Sequence, residues 1–558
     1  MKQNGIISGT MVAAALLALP MGVAAQSGND QVVVHGSIQS DILVPEVDKK
    51  INTGEYAEDV LTNTYVDLSV AYKQLEVGAR MEYNEHPLPG FEPDFKGWGV
   101  PHVHLKWTHQ DFDVTLGDFY DQFGSGFIFR AYEERSLGID NAIRGARVGV
   151  NAIKGMRIKA LGGVQRRYWD WDKDNWLLGG DLELSIDQYS QKLRDNNISW
   201  TVGGSYVMQK HDNDNEQIFA DGTNFVLALP SSVHAFDVRT NLSVGNYSFL
   251  AEYAWRSQDP SADNKYIYRR GSAAMLSASY SSKGVSALIQ AKRSENMSFR
   301  SQRHLLGTSA FVSNMPAFAY QHTYALPALY PYATQAAPGE WAFQGEFGYT
   351  FKKHTPLGGK YGTKMKLNIS HIRGLDKKPV EPLHGTSLKG TDGYSTSFFG
   401  MGDLYYQDIN LQMEKKMSKV FKLNLMYMNQ RYDKTVIEGE GGVVKTNIAV
   451  AEGKYQINRK FTLRSELQYL WTKQDEGDWA YGLVELSALP YLMFTVSDMW
   501  NTGETDTHYY MGSVTATVKG HRVMVGYGRT RAGYNCSGGV CRYVPASKGL
   551  NISYNYTF

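Results

Sequence analysis

Apolar and polar residues alternate with a period of two along nearly the whole chain. In the last segment, LNISYNYTF, Leu550, Ile552, Tyr554, Tyr556 and Phe558 share one face, and Asn551, Ser553, Asn555 and Thr557 share the other. Phe461, Leu463, Ser465, Leu467, Tyr469 and Trp471 likewise alternate with Thr462, Arg464, Glu466 and Gln468. Tyr247 to Arg256, Val77 to Tyr83 and Phe421 to Tyr427 repeat the pattern, which begins near Val32. This is the periodicity of a strand with one greasy and one polar side. The segments run for about 9–13 residues, longer than the five or six usual in soluble sheets and long enough to cross a bilayer at a tilt. Aromatic residues gather at strand ends (Tyr253 and Trp255, Tyr469 and Trp471), where interfacial girdles stand. Lipid offers backbone groups no hydrogen-bond partner, so a spanning sheet must close on itself.

The expected fold is therefore all-β: a transmembrane antiparallel β-barrel of about 22–24 strands, with periplasmic termini and long extracellular loops. Tight turns are expected at Lys73-Gln74, Gln110-Asp111, Ile153-Lys154, Gly245-Asn246, Ser282-Lys283, Lys416-Met417-Ser418, Pro490 and Gly520-His521. Between them fall longer polar links at 44–63, 85–101, 120–143, 167–176, 210–231, 258–271, 294–340, 375–402, 433–443 and 531–547. Short and long links alternate, as they do when one set faces the periplasm and the other the outside.

The amino terminus changes the picture of where the chain goes. Lys2, the apolar run Met11 to Pro20 and the small residues Val23-Ala24-Ala25 read as a signal peptide over residues 1–25, cleaved after Ala25. That leaves 26–558 as a single barrel domain. Lys and Arg number 57 against 56 Asp and Glu, and residues 1–25 contribute only Lys2. So balanced a chain gives no reason to expect nucleic acid as a partner. Apolar residues make up only 42% of the chain, while Tyr reaches 36 and Gly 55. That suits a sheet with a polar inner face better than a solid core. The pair Cys536 and Cys541, in NCSGGVC, reads as a loop-closing disulfide outside the cell.

The terminal Tyr554, Tyr556 and Phe558 resemble the final strand that bacterial barrel-assembly machinery recognises. GDFYDQFGSGFIFRAYEERSLGIDNAIRG (Gly117 to Gly145) and GGVCRYVPASKGLNISYNYTF (Gly538 to Phe558) are similar to stretches of an uncharacterised outer-membrane barrel family of the Bacteroidota. That resemblance covers the mature chain. It implies fold and location, attaches no reaction or substrate, and raises a subunit role in an envelope complex. The chain departs from TonB-dependent transporters, whose plug domain would need a hundred residues or more where Val32 and Val34 already alternate.

Several segments invite chemistry. Gly124 to Arg144 breaks the alternation and packs Arg130, Glu133, Glu134, Arg135, Asp140 and Arg144 close together. Such a loop either folds into the lumen and sets a constriction, or stays a salt-bridged outer loop. The link 294–340 holds Met315, Phe318, Tyr320, Tyr324, Leu326, Leu329, Tyr330 and Tyr332, too much apolar surface to stay solvated, so it is expected to pack on its own barrel. Asp170, Asp172 and Asp174, and Asp212, Asp214 and Glu216, could offer oxygen ligands to calcium but lack the Gly and terminal Glu of an EF-hand, and read as solvated. His102 and His104 share a strand face without a third ligand. Catalytic motifs are not found, and neither enzyme activity nor a cofactor is expected. Lumen charges of both signs (Glu76, Arg80, Glu252, Arg256, Lys364, Lys366, Arg464, Glu466) fit passive passage of small polar solutes. The rival reading is a non-transporting scaffold that docks surface lipoproteins. Expected partners are outer-membrane lipid and, during biogenesis, the assembly machinery.

Overall fold

The computed structural model describes residues 31–212, 217–383 and 385–558. The segment read as a signal peptide, Asp214 and Glu216 lie outside them. Twenty-four antiparallel strands form one closed meander. Each strand pairs with its neighbour in sequence, and the ring closes where Val32–Pro45 pairs with both Leu61–Tyr72 and Ser547–Thr557. The closing register runs from Ser37↔Thr557 to Pro45↔Gly549, and Gly36 and Phe558 exchange backbone hydrogen bonds of 3.1 and 3.0 Å. An even number of strands puts both ends of the described chain at one end of the barrel.

That end carries the tight turns. Lys73 (φ 54°), Gly245 (φ 57°) and Lys519 (φ 52°) take the left-handed backbone that two-residue hairpin turns require. Two of its links, 186–197 and 352–362, are longer than the expected alternation of short and long. The opposite end carries the long loops, including two further links at 472–478 and 502–507. The link expected at 167–176 is not a loop. Met156–Arg167 and Asp170–Ser185 turn on Tyr168 and Trp169 alone, with Trp171 paired to Arg166. The charged run from Asp170 had suggested a loop, yet beyond the lipid a strand needs no apolar face to stay paired.

The two faces are inverted relative to a water-soluble protein. In Phe461–Trp471, Leu467 is 66% exposed while its neighbour Glu466 is 3% exposed. Leu276, Ile289, Val238 and Val496 are similarly bare on the outer wall. Two belts of outward aromatics bracket this apolar band. Trp107, Tyr247, Tyr349, Phe461 and Phe494 stand near the short-turn end; Trp98, Tyr253, Tyr427, Trp471 and Trp500 stand near the long-loop end. Such a surface is covered by hydrocarbon rather than water. Tyr554, Tyr556 and Phe558 lie on this outer face, with Tyr556 stacked on His521 at 4.0 Å and the Phe558 ring against Gly36.

Candidate functional site

The lumen is filled from the long-loop end by two segments that fold inward. In the first, 120–143, Phe123, Phe127, Ile128 and Phe129 are fully buried. The bend that carries them in uses Gly124 (φ 50°) and Gly126 (φ 89°); a Cβ on Gly124 would lie 2.7 Å from the Glu252 carboxylate. That carboxylate, on the inner face of Tyr247–Arg256, accepts from the Ser125 N–H at 3.0 Å and the Ser125 hydroxyl at 2.6 Å. The charges of the segment meet a ring of wall charges. Arg80 donates to Asp67 at 2.7 Å and pairs with Glu133 at 2.9 Å and Asp140 at 3.1 Å. Arg135 pairs with Glu133 at 2.6 Å and Asp67 at 2.9 Å and lies over the Tyr65 ring. Arg166 joins Asp140 to Glu82.

Burial and charge oppose each other in this network. Burial pushes the Glu133 carboxyl above the ordinary range even though Arg80 and Arg135 pull the other way. Burial acts likewise on Asp140, but Arg166 and Arg80 outweigh it and hold that carboxyl below the ordinary range. Tyr132 is pushed up to about 12 by burial.

The second segment, within 294–340, crosses the lumen and is pegged to the wall strand by strand. Lys292, fully buried, donates to the Pro316 carbonyl at 2.5 Å and pairs with Glu340 at 2.9 Å. The Tyr320 N–H donates to the Ser370 hydroxyl at 3.0 Å, and His322 meets the buried Asp408 at 2.5 Å. The Leu326 N–H donates to Gln468 at 2.8 Å, and Gln430 donates to the Tyr330 carbonyl at 3.1 Å. Beneath these bonds, Phe299, Met315, Phe318, Leu326 and Tyr332 pack on small or apolar inward residues such as Ala254, Ala342, Ile372, Met428 and Ile448. The two segments are themselves joined, the Arg130 N–H donating to the Val312 carbonyl at 2.9 Å.

A third piece locks them together. Gly533–Ser537 and Val540–Val544 form a hairpin closed by the disulfide Cys536–Cys541. Its tip sits between the other two segments: Thr334 N–H donates to the Gly539 carbonyl at 2.8 Å, and Ser537 donates to Glu134 at 3.0 Å. Gly539 (φ 91°) has Met315 O 2.9 Å from where a Cβ would stand, so no larger residue fits.

Of the expected lumen residues, Glu133, Arg135 and Asp140 join the wall network, Glu134 faces the hairpin, and Arg130 lies over the Tyr132 ring at 4.4 Å. Arg144 is a correction. It lies in the strand Ile143–Ile153, where Arg147 points inward to Asp113 and Asp121, so alternation turns Arg144 outward. There it pairs with Asp118 at 2.7 Å and sits 3.5 Å over the Trp171 ring. His104 lies 3.5 Å from Glu76, and His102 stacks on Tyr120. Sequence reasoning missed the residues that receive the inward segments, notably Asp67, Arg166, Lys292, Asp408, Gln430 and Gln468. They look like any other inward polar position, and nothing in their spacing says which segment will reach them.

The filling is lopsided. Inward residues from Val207 to Leu470 at this level are fully buried under the two segments. Across the closure, Asp41, Met511, Ser513, Asn551 and Ser553 point inward yet stay partly exposed, and Arg135 reaches as far as Gln39, to which it donates at 3.2 Å. Toward the short-turn end the wall is polar all round. One cleft there, of about 420 Å³, is lined by Glu76, His104, Lys106, Asp113 and Arg147, and a second, of about 410 Å³, by Ser286, Glu346, Lys364, Lys366 and Glu414.

Several solved structures are similar to this chain at low identity. The P pilus usher translocation pore matches over 95% of this chain and 99% of its own, at 7% identity and a TM-score of 0.41. OccAB3 of Acinetobacter baumannii matches over 94% and 99%, at 9% identity and a TM-score of 0.35. The ferric enterobactin receptor of Pseudomonas aeruginosa matches over 96% and 82%, at 10% identity and a TM-score of 0.43. Among curated proteins no relative matches. One family model spans residues 3–558, and the chain accordingly belongs to DUF6029, a family of unknown function.

Proposed function

We propose that this chain is a non-enzymatic passive pore of the outer membrane, narrowed to a lane along the closing strands, for small polar solutes. The observation that carries the reading is the sector beside the closure: Asp41, Asn551 and Ser553 keep partial exposure, while inward residues opposite such as Val207, Ala254, Ile372 and Ile448 are buried under the two segments. Elsewhere around the ring, the wall charges pair across strands, Lys366 with Glu346 at 2.6 Å and Arg464 with Glu452 at 3.1 Å. Balanced pairs of this kind leave little net field to select ions by sign. The long loops then face outward and the termini the periplasm, with Tyr554, Tyr556 and Phe558 offered to the assembly machinery. A second reading, a non-transporting scaffold that docks surface lipoproteins, is favoured by how completely the inward segments are bonded to the wall. Purified protein in planar bilayers separates the two. Stepwise openings that change when Glu133, Glu134 and Arg135 are replaced by Ala support the pore. A silent wild-type barrel overturns it in favour of the scaffold.

A further inference from the structure

The outer wall carries a furrow that the lumen does not explain. Along the strand Val443–Gln456 the outward residues are Lys445, Asn447, Ala449, Ala451 and Gly453, ending at Tyr455. The two alanines are flanked by large residues on both neighbouring strands. Ala449 lies between Tyr427 and Tyr469, and Ala451 between Leu425 and Leu467. With Leu411 these residues line an apolar hollow of about 730 Å³. A smooth greasy band needs no such hollow; the two alanines leave room for something slender lying along the strand, while the place beside Gly453 is taken by the Phe421 ring.

At the long-loop end the same furrow runs into cations. The cross-strand row His371↔Gln407↔Arg431↔Lys445 stands one step above the row Ile369↔Ile409↔Asn429↔Asn447, and the change from apolar to polar outward residues across these rows marks the edge of the hydrocarbon. Arg373 stands one outward position above His371. Both guanidinium groups are turned toward the bulged start of Met401–Lys416, Arg373 donating to the Gly402 carbonyl at 2.9 Å and Arg431 to that of Leu404. Lys473 follows just past Trp471, and Lys445 N–H is held to the neighbouring Gln474. Among the described residues none of Arg373, Arg431, Lys445 and Lys473 forms an ion pair. Asp403 and Asp433 share this margin without pairing to them, and the Asp433 carboxylate caps the turn at Lys434–Ile437. Cations on the lipid face cost least at the interface, where they meet anionic headgroups.

We infer that this sector holds one phosphorylated membrane lipid, its phosphate on Arg373, Arg431 and Lys445 and an acyl chain lying over Ala449 and Ala451. From Lys445 to Ala451 the strand advances by about 20 Å, so head and tail contacts lie on one line along the wall. Neither feature depends on whether the lumen conducts.

The test uses the full chain in mild detergent, with bound lipid counted by native mass spectrometry. Three probes divide the chemistry: phosphatidic acid has phosphate and chains, diacylglycerol has chains alone, and inorganic phosphate has neither chain. Retention of one phosphatidic acid, at least tenfold over diacylglycerol and undisturbed by millimolar inorganic phosphate, is the expected result. Arg431→Gln with Lys445→Gln should weaken retention about thirtyfold, near fivefold per cation removed at the surface. Ala449→Leu with Ala451→Leu, which fills the hollow but leaves every charge, should also abolish single-lipid retention. Equal retention of diacylglycerol, displacement by inorganic phosphate, or indifference to both double variants overturns the inference. So does a cross-linked dimer that the alanine variants dissociate, because the furrow would then belong to a second copy of the chain.

Discussion

Arg80 is where the first inward segment is fastened, and replacing it by Ala isolates what that fastening is worth. Its side chain is 7% exposed and lies within 3.1 Å of Asp67, Glu133 and Asp140. Deleting one partner of a buried ion pair costs about 3–5 kcal/mol, because the other charge is left without compensation. Here Arg135 still reaches Glu133 and Asp67, and Arg166 still reaches Asp140, so the lower figure applies. About 3 kcal/mol multiplies the population of the released segment by about a hundred. The barrel wall is untouched by the change, since its ladders are backbone bonds. Limited proteolysis in detergent should therefore cut Arg80→Ala within 120–143 far faster than wild type, while heat-modified gel migration of the barrel stays the same. Lys364→Ala is the control: its pair with Glu414, at 3.5 Å and 66% and 42% exposed, is worth at most about 1 kcal/mol and should change nothing. If Arg80→Ala and Lys364→Ala are cut at the same rate, the segment is held by its buried phenylalanines, and the account of the charge ring is wrong.

Other outcomes follow from the same geometry. Leu467→Arg, on the outer face, should destabilise the barrel in lipid by about 2–4 kcal/mol, read by reversible urea unfolding into vesicles; a neutral result would mean that this face does not meet hydrocarbon. Asp140, held below its ordinary value, contributes stability that is full above about pH 4 and is lost as pH falls through its depressed value. Protease protection of 120–143 should accordingly hold at neutral pH and fail on acidification below pH 4. Cys536→Ser with Cys541→Ser removes a small loop closure worth about 2 kcal/mol and frees the hairpin tip from Thr334 and Glu134. Hydrogen exchange at 533–544 should rise strongly, and an unchanged pattern would show that the hairpin is held without its covalent link.

The reach of the sequence can be judged residue by residue. Leu467 against Glu466 was legible because a strand has only two faces and neighbours must choose opposite ones. The same rule exposes the Arg144 error: its charge suggested the lumen, whereas its parity with Arg147 already placed it outside. The aromatic density of 294–340 was enough to say that the segment must pack, since so many rings cannot remain in water. What it could not show is that Tyr320 would bond Ser370, or Leu326 would bond Gln468, 50 and 142 positions away.

Alternation along the backbone is a local property, written in each pair of adjacent residues, and it determined the closed sheet, its two faces and the end at which the chain begins and finishes. Which side of the lumen the inward segments pack against, which wall residues receive them, and how a furrow on the outside runs up to four cations were decided only when distant strands took their register around the ring. Register is a sum over all 24 neighbours in the circle, and no single segment carries enough of it to be read alone.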